Sequence, residues 1–324
     1  MRHSTTFLML LIVASILVLM FLNLVLGSVS IPLKSVWNII CGLGDEPVTW
    51  QNIVWKSRLP QALTALVAGA GLAISGLQMQ TVFRNPLAGP SVLGISSGAS
   101  MGVAFVVLLS GSLGGVALSK LGFMGEIALS IAAVIGSLSV MALIVYVSQK
   151  VKGNVTLLII GVMIGYVANA VIGVLKFFSV EEDIRAYVIW GLGSFSRVSG
   201  NQMILFVAIM AILIPLSFLL IKTLNLMLLG DGYARNLGLN IKRARLLVIT
   251  SAGVLTAIVT AYCGPVIFLG LAVPHLCRAI FQTSDHRVLM PAVLFAGAAL
   301  ALACNLIARM PGFEGALPVN SVTA

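Results

Sequence analysis

The stretch FLMLLIVASILVLMFLNLVL, residues 7–26, has no charged residue and only two polar ones, Ser15 and Asn23. About 20 apolar residues are what an α-helix needs to cross roughly 30 Å of hydrocarbon, because each residue advances the helix by about 1.5 Å. The apolar core of a signal peptide is shorter, at about 7 to 15 residues. We therefore predict that this stretch is a retained membrane-spanning helix.

The rest of the chain repeats this pattern. Of its 324 residues, 60% are hydrophobic and 9% are charged, whereas about a quarter of the residues of a soluble domain are charged. A water-soluble fold is thereby excluded, and a membrane β-barrel would show alternating segments of about 10 residues. The sequence predicts an all-α, polytopic membrane helix bundle, with residues 1–324 forming a single transmembrane domain. We place nine spans, at approximately 7–26, 61–82, 91–110, 127–147, 155–175, 201–221, 246–263, 265–281 and 288–308.

The distribution of charge suggests an orientation. With a cytoplasmic N-terminus, the inner segments carry 11 Lys or Arg and two Asp, and the outer segments carry eight Lys or Arg and seven Asp or Glu. Cytoplasmic loops of membrane proteins are enriched in Lys and Arg. Basic inner loops therefore explain the net charge of +10 better than nucleic-acid binding does. We predict a multi-pass protein of the bacterial inner membrane, with periplasmic segments near 27–60 and 176–200.

Several kinds of chemistry lack their sequence signatures. No Asp or Glu lies inside a predicted span, which disfavours ion-coupled transport. The chain has no G-x-x-x-x-G-K-[ST] loop, so a different chain would have to bind any ATP. The four cysteines and three histidines show no metal-ligand spacing. The string Gly94–Gly98 matches G-x-S-x-G but runs directly into an apolar stretch, where a nucleophile elbow would follow a strand. We predict no catalytic residue, no metal site and no bound cofactor. A secondary carrier or channel is the alternative class of function, and a membrane enzyme is the third candidate class.

Small residues and prolines recur within the predicted spans. Ala68–Gly71 and the pairs Gly98/Gly102 and Gly161/Gly165 have the spacing that lets helix backbones approach closely. Prolines also interrupt several spans, so we expect broken or kinked helices at sites where the freed backbone is buried in protein. The prolines concerned are Pro215, Pro265, Pro274 and Pro291.

Two sets of residues are candidates for contact with partner proteins. The longest inner polar segment, residues 222–245, contains Leu229–Gly238, which predicts a two-turn helix with a Leu/Ala/Leu apolar face bracketed by glycines. We interpret this segment as a docking element. On the outer side, Arg58 opens the second span ahead of Pro60, and Arg309 follows the ninth span. Both arginines could receive carboxylates of a soluble partner through bidentate pairs, and interfacial snorkelling is the alternative explanation.

A series of motifs makes the sequence specific. In chain order they are Arg58-Leu59-Pro60, Asn85–Pro90 with Leu93–Ala99, Trp190–Ser194, Leu229–Gly238, Gly264–Leu271 with Pro274-His275 and Arg278, Asp285-His286-Arg287, and Leu317–Val319 with Val322–Ala324. Together they resemble the permease subunits of bacterial ABC importers for iron chelates, haem and vitamin B12. The resemblance covers essentially the whole chain.

The resemblance implies a ten-helix subunit that pairs with a second permease copy, most often as a homodimer, around a central pathway in the lipid membrane. It also implies two ATP-binding subunits, which hold ATP and Mg²⁺, and a periplasmic or lipid-anchored substrate-binding protein. By resemblance, Arg58 and Arg309 receive carboxylates of the binding protein, and Gln61 stands where the family often has a second arginine. The residues implied to couple the permease to the ATPase are Leu229, Gly230, Asp231, Ala234, Arg235, Leu237 and Gly238.

The resemblance also implies a tenth span beyond Leu317–Ala324, where the sequence given ends. Without that span, we expect an unfilled groove near the outer face.

The expected function is transport of an iron(III) complex, either a siderophore or haem, by alternating access. Vitamin B12 is the alternative substrate within the same family.

Overall fold

The computed structural model describes residues 2–43, 46–112, 123–151, 153–198, 200–310 and 317–323. Four of the charged residues used to predict the orientation, Asp45, Lys120, Lys152 and Glu314, lie outside the described residues. Ala324, the last residue of the C-terminal motif, also lies outside them.

The described residues form α-helices joined by short irregular segments. These helices are α1 (Arg2–Val25), α2 (Leu33–Cys41), α3 (Val48–Ile53), α4 (Leu59–Phe83), α5 (Ile95–Ser112), α6 (Phe123–Lys150), α7 (Asn154–Phe177), α8 (Glu181–Gly191), α9 (Gly200–Phe218), α10 (Ile221–Leu228), α11 (Asp231–Asn236), α12 (Ile241–Cys263), α13 (Leu269–Phe281), α14 (His286–Ala308) and α15 (Val319–Thr323). A π-helical turn covers Val54–Arg58, and 3₁₀ turns cover Pro90–Leu93 and Phe195–Arg197.

The helices confirm the predicted fold class. Within the described ranges, seven helices are long and apolar enough to cross a membrane, namely α1, α4 with the helical turns before it, α6, α7, α9, α12 and α14. The shorter apolar helices α5 and α13 occupy the other two predicted spans. All nine predicted spans therefore correspond to apolar helices in this part of the chain.

Helix α4 is the central helix of the bundle. Its membrane-spanning window is 83% buried, and it packs against α9, α12, α13 and α14. Glycines permit these contacts, since a Cβ atom at Gly69 would lie 2.3 Å from the carbonyl oxygen of Gly297 in α14. Gly98 and Gly102 face α6 in the same way, with Cβ positions 2.6 Å and 2.2 Å from backbone oxygens of that helix. The predicted role of small residues in close helix packing is therefore confirmed at these positions.

Helix α13 is shorter than predicted, because it begins at Leu269 instead of residue 265. Gly264 has a φ of +76°, and Pro265 cannot donate a backbone hydrogen bond, so the chain between α12 and α13 is irregular. Val266 of this segment is buried, whereas Ile267 and Phe268 are 43% and 41% exposed. The predicted interruption at Pro265 is confirmed, whereas Pro215, Pro274 and Pro291 lie inside continuous helices.

Pro60 lies in the first turn of α4, but the helical structure does not begin there. Helical structure runs without a gap from Val48 to Phe83, through the π-helical turn in which the Leu59 N–H bonds to the Val54 carbonyl. A π-turn accommodates the proline, because it rearranges the backbone bonding just where Pro60 supplies no N–H. The short helices α2, α3, α8 and α15 are further elements that the apolar pattern did not predict.

The bundle has two polar ends. The end that carries α10, α11, the C-terminus of α4 and the N-terminus of α14 is called the α11 face below. The opposite end carries the C-termini of α1 and α14, and is called the Arg58 face.

Candidate functional site

The predicted docking segment, Leu229–Gly238, lies at the α11 face. Its helix is shorter than predicted, since α11 covers only Asp231–Asn236. Gly230 and Gly238 have φ values of +96° and +84°, a left-handed conformation that glycine adopts at little cost and that interrupts a helix. Together with α10, the segment forms a compact helical protrusion between α9 and α12.

Apolar side chains of this protrusion divide between its inner and outer surfaces. Ala234 is fully buried, whereas Leu229, Tyr233 and Leu237 are between 53% and 61% exposed. Exposed apolar side chains at a polar end of a membrane protein are typical of a protein interaction surface. Tyr233 was not among the predicted coupling residues, because a single aromatic residue in a short polar segment gives no periodic signal.

Asp231 connects the protrusion to two membrane-spanning helices. Its carboxylate lies 2.5 Å from Arg84 Nη2 and 3.6 Å from Arg245 Nη2. Arg84 directly follows α4, and its Nη2 also donates to the Met227 carbonyl at 3.2 Å. Arg245 belongs to α12. The Arg84–Asp231 pair is about 40% exposed, so it contributes little to folding stability, but together with Arg245 it joins α11 to α4 and α12.

A buried hydrogen-bond network makes a second connection, through α10. The His286 side chain is 1% exposed, with its Nδ1 2.7 Å from Asn225 Oδ1 and its Nε2 2.8 Å from Thr81 Oγ1. Because the amide oxygen of Asn225 can only accept, His286 Nδ1 is the donor. The Thr81 hydroxyl has one proton for two neighbours, the Leu77 carbonyl at 2.8 Å and His286 Nε2. The network therefore joins α10 to α14 and α4.

Asp285 extends this network to the surface. Asn225 Nδ2 donates to Asp285 Oδ1 at 2.7 Å, and the backbone N–H of Arg287 donates to the same oxygen at 2.9 Å. These hydrogen bonds, the backbone one most strongly, lower the pKa of Asp285 below its usual value. The Asp285-His286-Arg287 motif thus caps α14 and holds α10 against it.

At the Arg58 face, Arg58 is buried rather than exposed. It is 1% exposed, and its Nη1 donates to the carbonyls of Leu24 and Val25 at 2.8 Å and 2.7 Å. Its Nη2 donates to the Val29 carbonyl. Arg58 therefore satisfies carbonyl groups at the C-terminus of α1, where a cation also complements the helix dipole. The predicted role of Arg58 in receiving a binding protein stays a prediction.

Arg309 lies beside Arg58. A Cβ atom placed on Gly27 would be 3.2 Å from nitrogen atoms of both guanidinium groups. Among the described residues, Arg58 Nε and Arg309 Nη1 are buried without a hydrogen-bond partner. Burial, and secondarily the charge of Arg58, lower the pKa of Arg309 to about 10. Two neighbouring guanidinium groups with unused donors favour an anion between them. Gln61, by contrast, donates to Ser57 Oγ at 3.1 Å.

Helix α7 carries polar side chains on an exposed face within its span. Only 22% of its membrane-spanning window is buried. Tyr166 is 68% exposed, and Asn169 is also exposed near the middle of the helix. An uncharged amide at this depth is costly against lipid, so this face of α7 is suited to contact water or protein. Neither residue was predicted from the sequence to have a functional role.

Residues 15–324 match the model of the FecCD transport family. The chain belongs to the FecCD transport family.

Two curated FecCD-type permeases are similar to this chain over most of their length. It is 35% identical to the vitamin B12 import system permease protein BtuC of Klebsiella pneumoniae over 85% of this chain and 79% of the relative. It is 33% identical to the hemin transport system permease protein HmuU of Yersinia pestis over 92% of this chain and 86% of the relative. The chain is therefore an ABC importer permease of the FecCD family and a multi-pass inner-membrane protein, and the family implies an ATPase and a substrate-binding protein as partners.

A solved structure agrees with this assignment. It is described as an inward-facing conformation of a transporter classed with the metal-chelate type of ABC transporter. It superimposes with a TM-score of 0.83 at 26% identity, and the match covers 98% of this chain and 94% of the other. The FecCD fold of the present chain thus extends over nearly all of its length.

Proposed function

We propose that this FecCD permease moves an iron(III) complex, a siderophore complex or haem, across the inner membrane by alternating access. The observation that carries the proposal is the family match over residues 15–324, together with the connection of α10 and α11 to three spans. A helical protrusion tied to α4, α12 and α14 can transmit movement of a partner to the bundle. Such coupling requires contacts that differ between the two states.

In this proposal the α11 face is cytoplasmic, which makes the N-terminus cytoplasmic as well. The ATPase contacts the exposed residues Leu229, Tyr233 and Leu237. Asp231 and Arg245 position this surface from within the permease. ATP binding and release by two ATPase copies would then move α11, and the spans attached to it would follow.

The Arg58 face is periplasmic in the same proposal. Carboxylates of the substrate-binding protein would bind at Arg58 and Arg309, whose guanidinium groups both lie beside the buried Gly27. Bidentate arginine–carboxylate pairs are among the stronger protein contacts. Arg58 would then serve both the C-terminus of α1 and the binding protein.

The exposed polar face of α7, with Tyr166 and Asn169, supports a pathway on this side of the bundle. A second copy of the permease would close the pathway, so we propose a homodimer. The two copies would shield the amide of Asn169 from lipid.

An iron complex is the proposed substrate, in keeping with the similarity to HmuU and with the metal-chelate type of the structural relative. Vitamin B12 is the second candidate, because the chain is 35% identical to BtuC. The two are distinguished by uptake of radiolabelled iron(III) siderophore, haem and cobalamin into vesicles that contain the assembled importer.

We expect the tagged full-length chain, solubilised from its native membrane, to co-purify with an ATPase that carries a Walker loop. Reconstituted with that ATPase and the binding protein encoded beside it, the permease should take up one of the three substrates only when ATP is inside. A Walker-lysine variant of the ATPase is the matched control and should abolish uptake. Transport by the permease alone, driven by an ion gradient, would instead establish a secondary carrier.

Asn169→Cys should react with a membrane-impermeant maleimide in reconstituted vesicles, because the pathway contains water. The measurement uses a Cys41→Ser background, since Cys41 is the exposed native cysteine and the other three are buried. Ile135→Cys is the matched control, as Ile135 is 61% exposed on the apolar helix α6. We expect labelling at position 169 to be at least about tenfold faster than at position 135, since hydrocarbon excludes water. Equal, slow labelling of both would show that α7 faces lipid.

A further inference from the structure

A polar cleft at the α11 face remains unexplained by the proposed function. It has a volume of about 570 Å³ and lies between the ends of α4, α6 and α12 and the helix α11. Its walls include Arg84, Lys150, Arg235, Lys242, Arg245 and Asp231.

The cleft is strongly cationic. Among the described residues, five Lys or Arg side chains line it against one carboxylate, that of Asp231, which already pairs with two of those cations. The side chain of Arg245 is only 13% exposed, and among the described residues its Nε has no hydrogen-bond partner. An unused, largely buried guanidinium N–H beside a surplus of positive charge is the chemistry that binds a phosphate.

The cleft lies at the depth of the membrane interface. Tyr146 is 57% exposed near the end of α6, and Lys150 Nζ lies 2.6 Å from its hydroxyl and 4.5 Å from its ring centre. Exposed tyrosines and basic residues at the end of an apolar span mark the level of the lipid headgroups. Because Lys150 also lines the cleft, the cleft opens at that level.

An apolar groove lies farther along α6 than the cleft, and the two share no lining residue. It has a volume of about 470 Å³ and lies between α5, α6 and α7, with Leu143 and Ile160 among its lining residues. On α6, Leu143 and Lys150 are two helical turns apart on one face, which corresponds to about 10 Å along the axis. Gly153 of the cleft precedes Ile160 of the groove by the same interval.

We propose that the cleft binds the phosphate of an acidic phospholipid, whose acyl chain lies in the groove between α6 and α7. Basic pockets between membrane helices are suited to anionic headgroups. The groove distinguishes a lipid from a free anion, since it supplies apolar surface beside the charges. The proposal does not depend on which face is cytoplasmic or on the transported substrate.

The test compares two double variants that remove the same charge. Lys150→Gln/Lys242→Gln removes one cation of the cleft from α6 and one from α12, and Lys222→Gln/Arg243→Gln removes two exposed cations of the same face that do not line the cleft. The full chain is placed in nanodiscs of phosphatidylcholine with a minor fraction of phosphatidylglycerol, and retained lipid is counted by native mass spectrometry. Equal thermal stability of the two variants excludes misfolding as the cause of a difference.

We expect the cleft variant to retain about tenfold less phosphatidylglycerol than the parent chain, and the control variant to match the parent. Equal loss in both variants would overturn the proposal in favour of general surface charge. Complete displacement by millimolar inorganic phosphate would overturn it in favour of a free-anion site. Loss of the lipid from the importer assembled with its ATPase would also overturn it, by assigning the cleft to acidic groups of that partner.

Discussion

Replacing Gly76 by leucine is expected to abolish the folded permease. A Cβ atom at Gly76 would lie 1.6 Å from the carbonyl oxygen and 2.5 Å from the carbonyl carbon of Gly270. Both contacts are to backbone, so no side-chain rotation relieves them, and α4 and α13 must separate at the centre of the bundle. Overpacking of a close-packed core costs about 1 to 3 kcal/mol or more, and we expect the upper end here because backbone is displaced.

The measurement is the yield of monodisperse protein in detergent by size-exclusion chromatography, followed by a thermal unfolding scan. Gly173→Leu is the matched control, since Gly173 also lies within a membrane-spanning helix and a Cβ atom there would have no neighbour within 4 Å. The control should give monodisperse protein at close to the parent yield. Equal yields of both variants would show that α4 and α13 separate without cost.

The spans could be predicted from sequence because hydrocarbon thickness imposes a local constraint on each helix. The stretch 7–26 satisfies that constraint without help from other parts of the chain, and α1 extends over Arg2–Val25. Helix α13 does not satisfy it, with only 13 residues. It packs closely on distant parts of the chain, since a Cβ atom at Gly270 would lie 2.8 Å from Pro90 and 3.0 Å from the Leu72 carbonyl. Contacts between residues so distant in sequence leave no periodic signal.

In the candidate site, too, the sequence indicates residues with a local signal but not their distant partners. Asp231 could be selected from the sequence because it lies in a short helical segment between two glycines. Its partner Arg84 is 147 residues away, and in the sequence it was only one of several positive charges in the inner loops. Arg58 was visible as an arginine beside a span, but its burial against the carbonyls of α1 depends on how α1 and α4 pack.

Asp231→Arg is expected to lower substrate uptake per ATP hydrolysed by at least about tenfold, a loss within the usual range of coupling energies. In the parent chain, Arg84 and Arg245 share the Asp231 carboxylate. The substitution replaces that carboxylate with a third guanidinium. The repulsion displaces α11 from α4 and α12, so the ATPase no longer moves the spans through it. Thermal stability should change by less than about 1 kcal/mol, because the ion pair is partly exposed.

A charge swap separates positioning from direct contact with the ATPase. In Arg84→Asp/Asp231→Arg the pair is restored with its charges exchanged, so uptake should recover in part, with Arg245 still repelling the new arginine. If Asp231 instead contacts the ATPase directly, the swap should be as defective as Asp231→Arg alone. Arg243→Asp is the control for altered charge at this face, since Arg243 is exposed and does not line the cleft. Unchanged uptake in Asp231→Arg would remove Asp231 from the coupling element, because a position that tolerates charge reversal cannot hold α11 in place electrostatically.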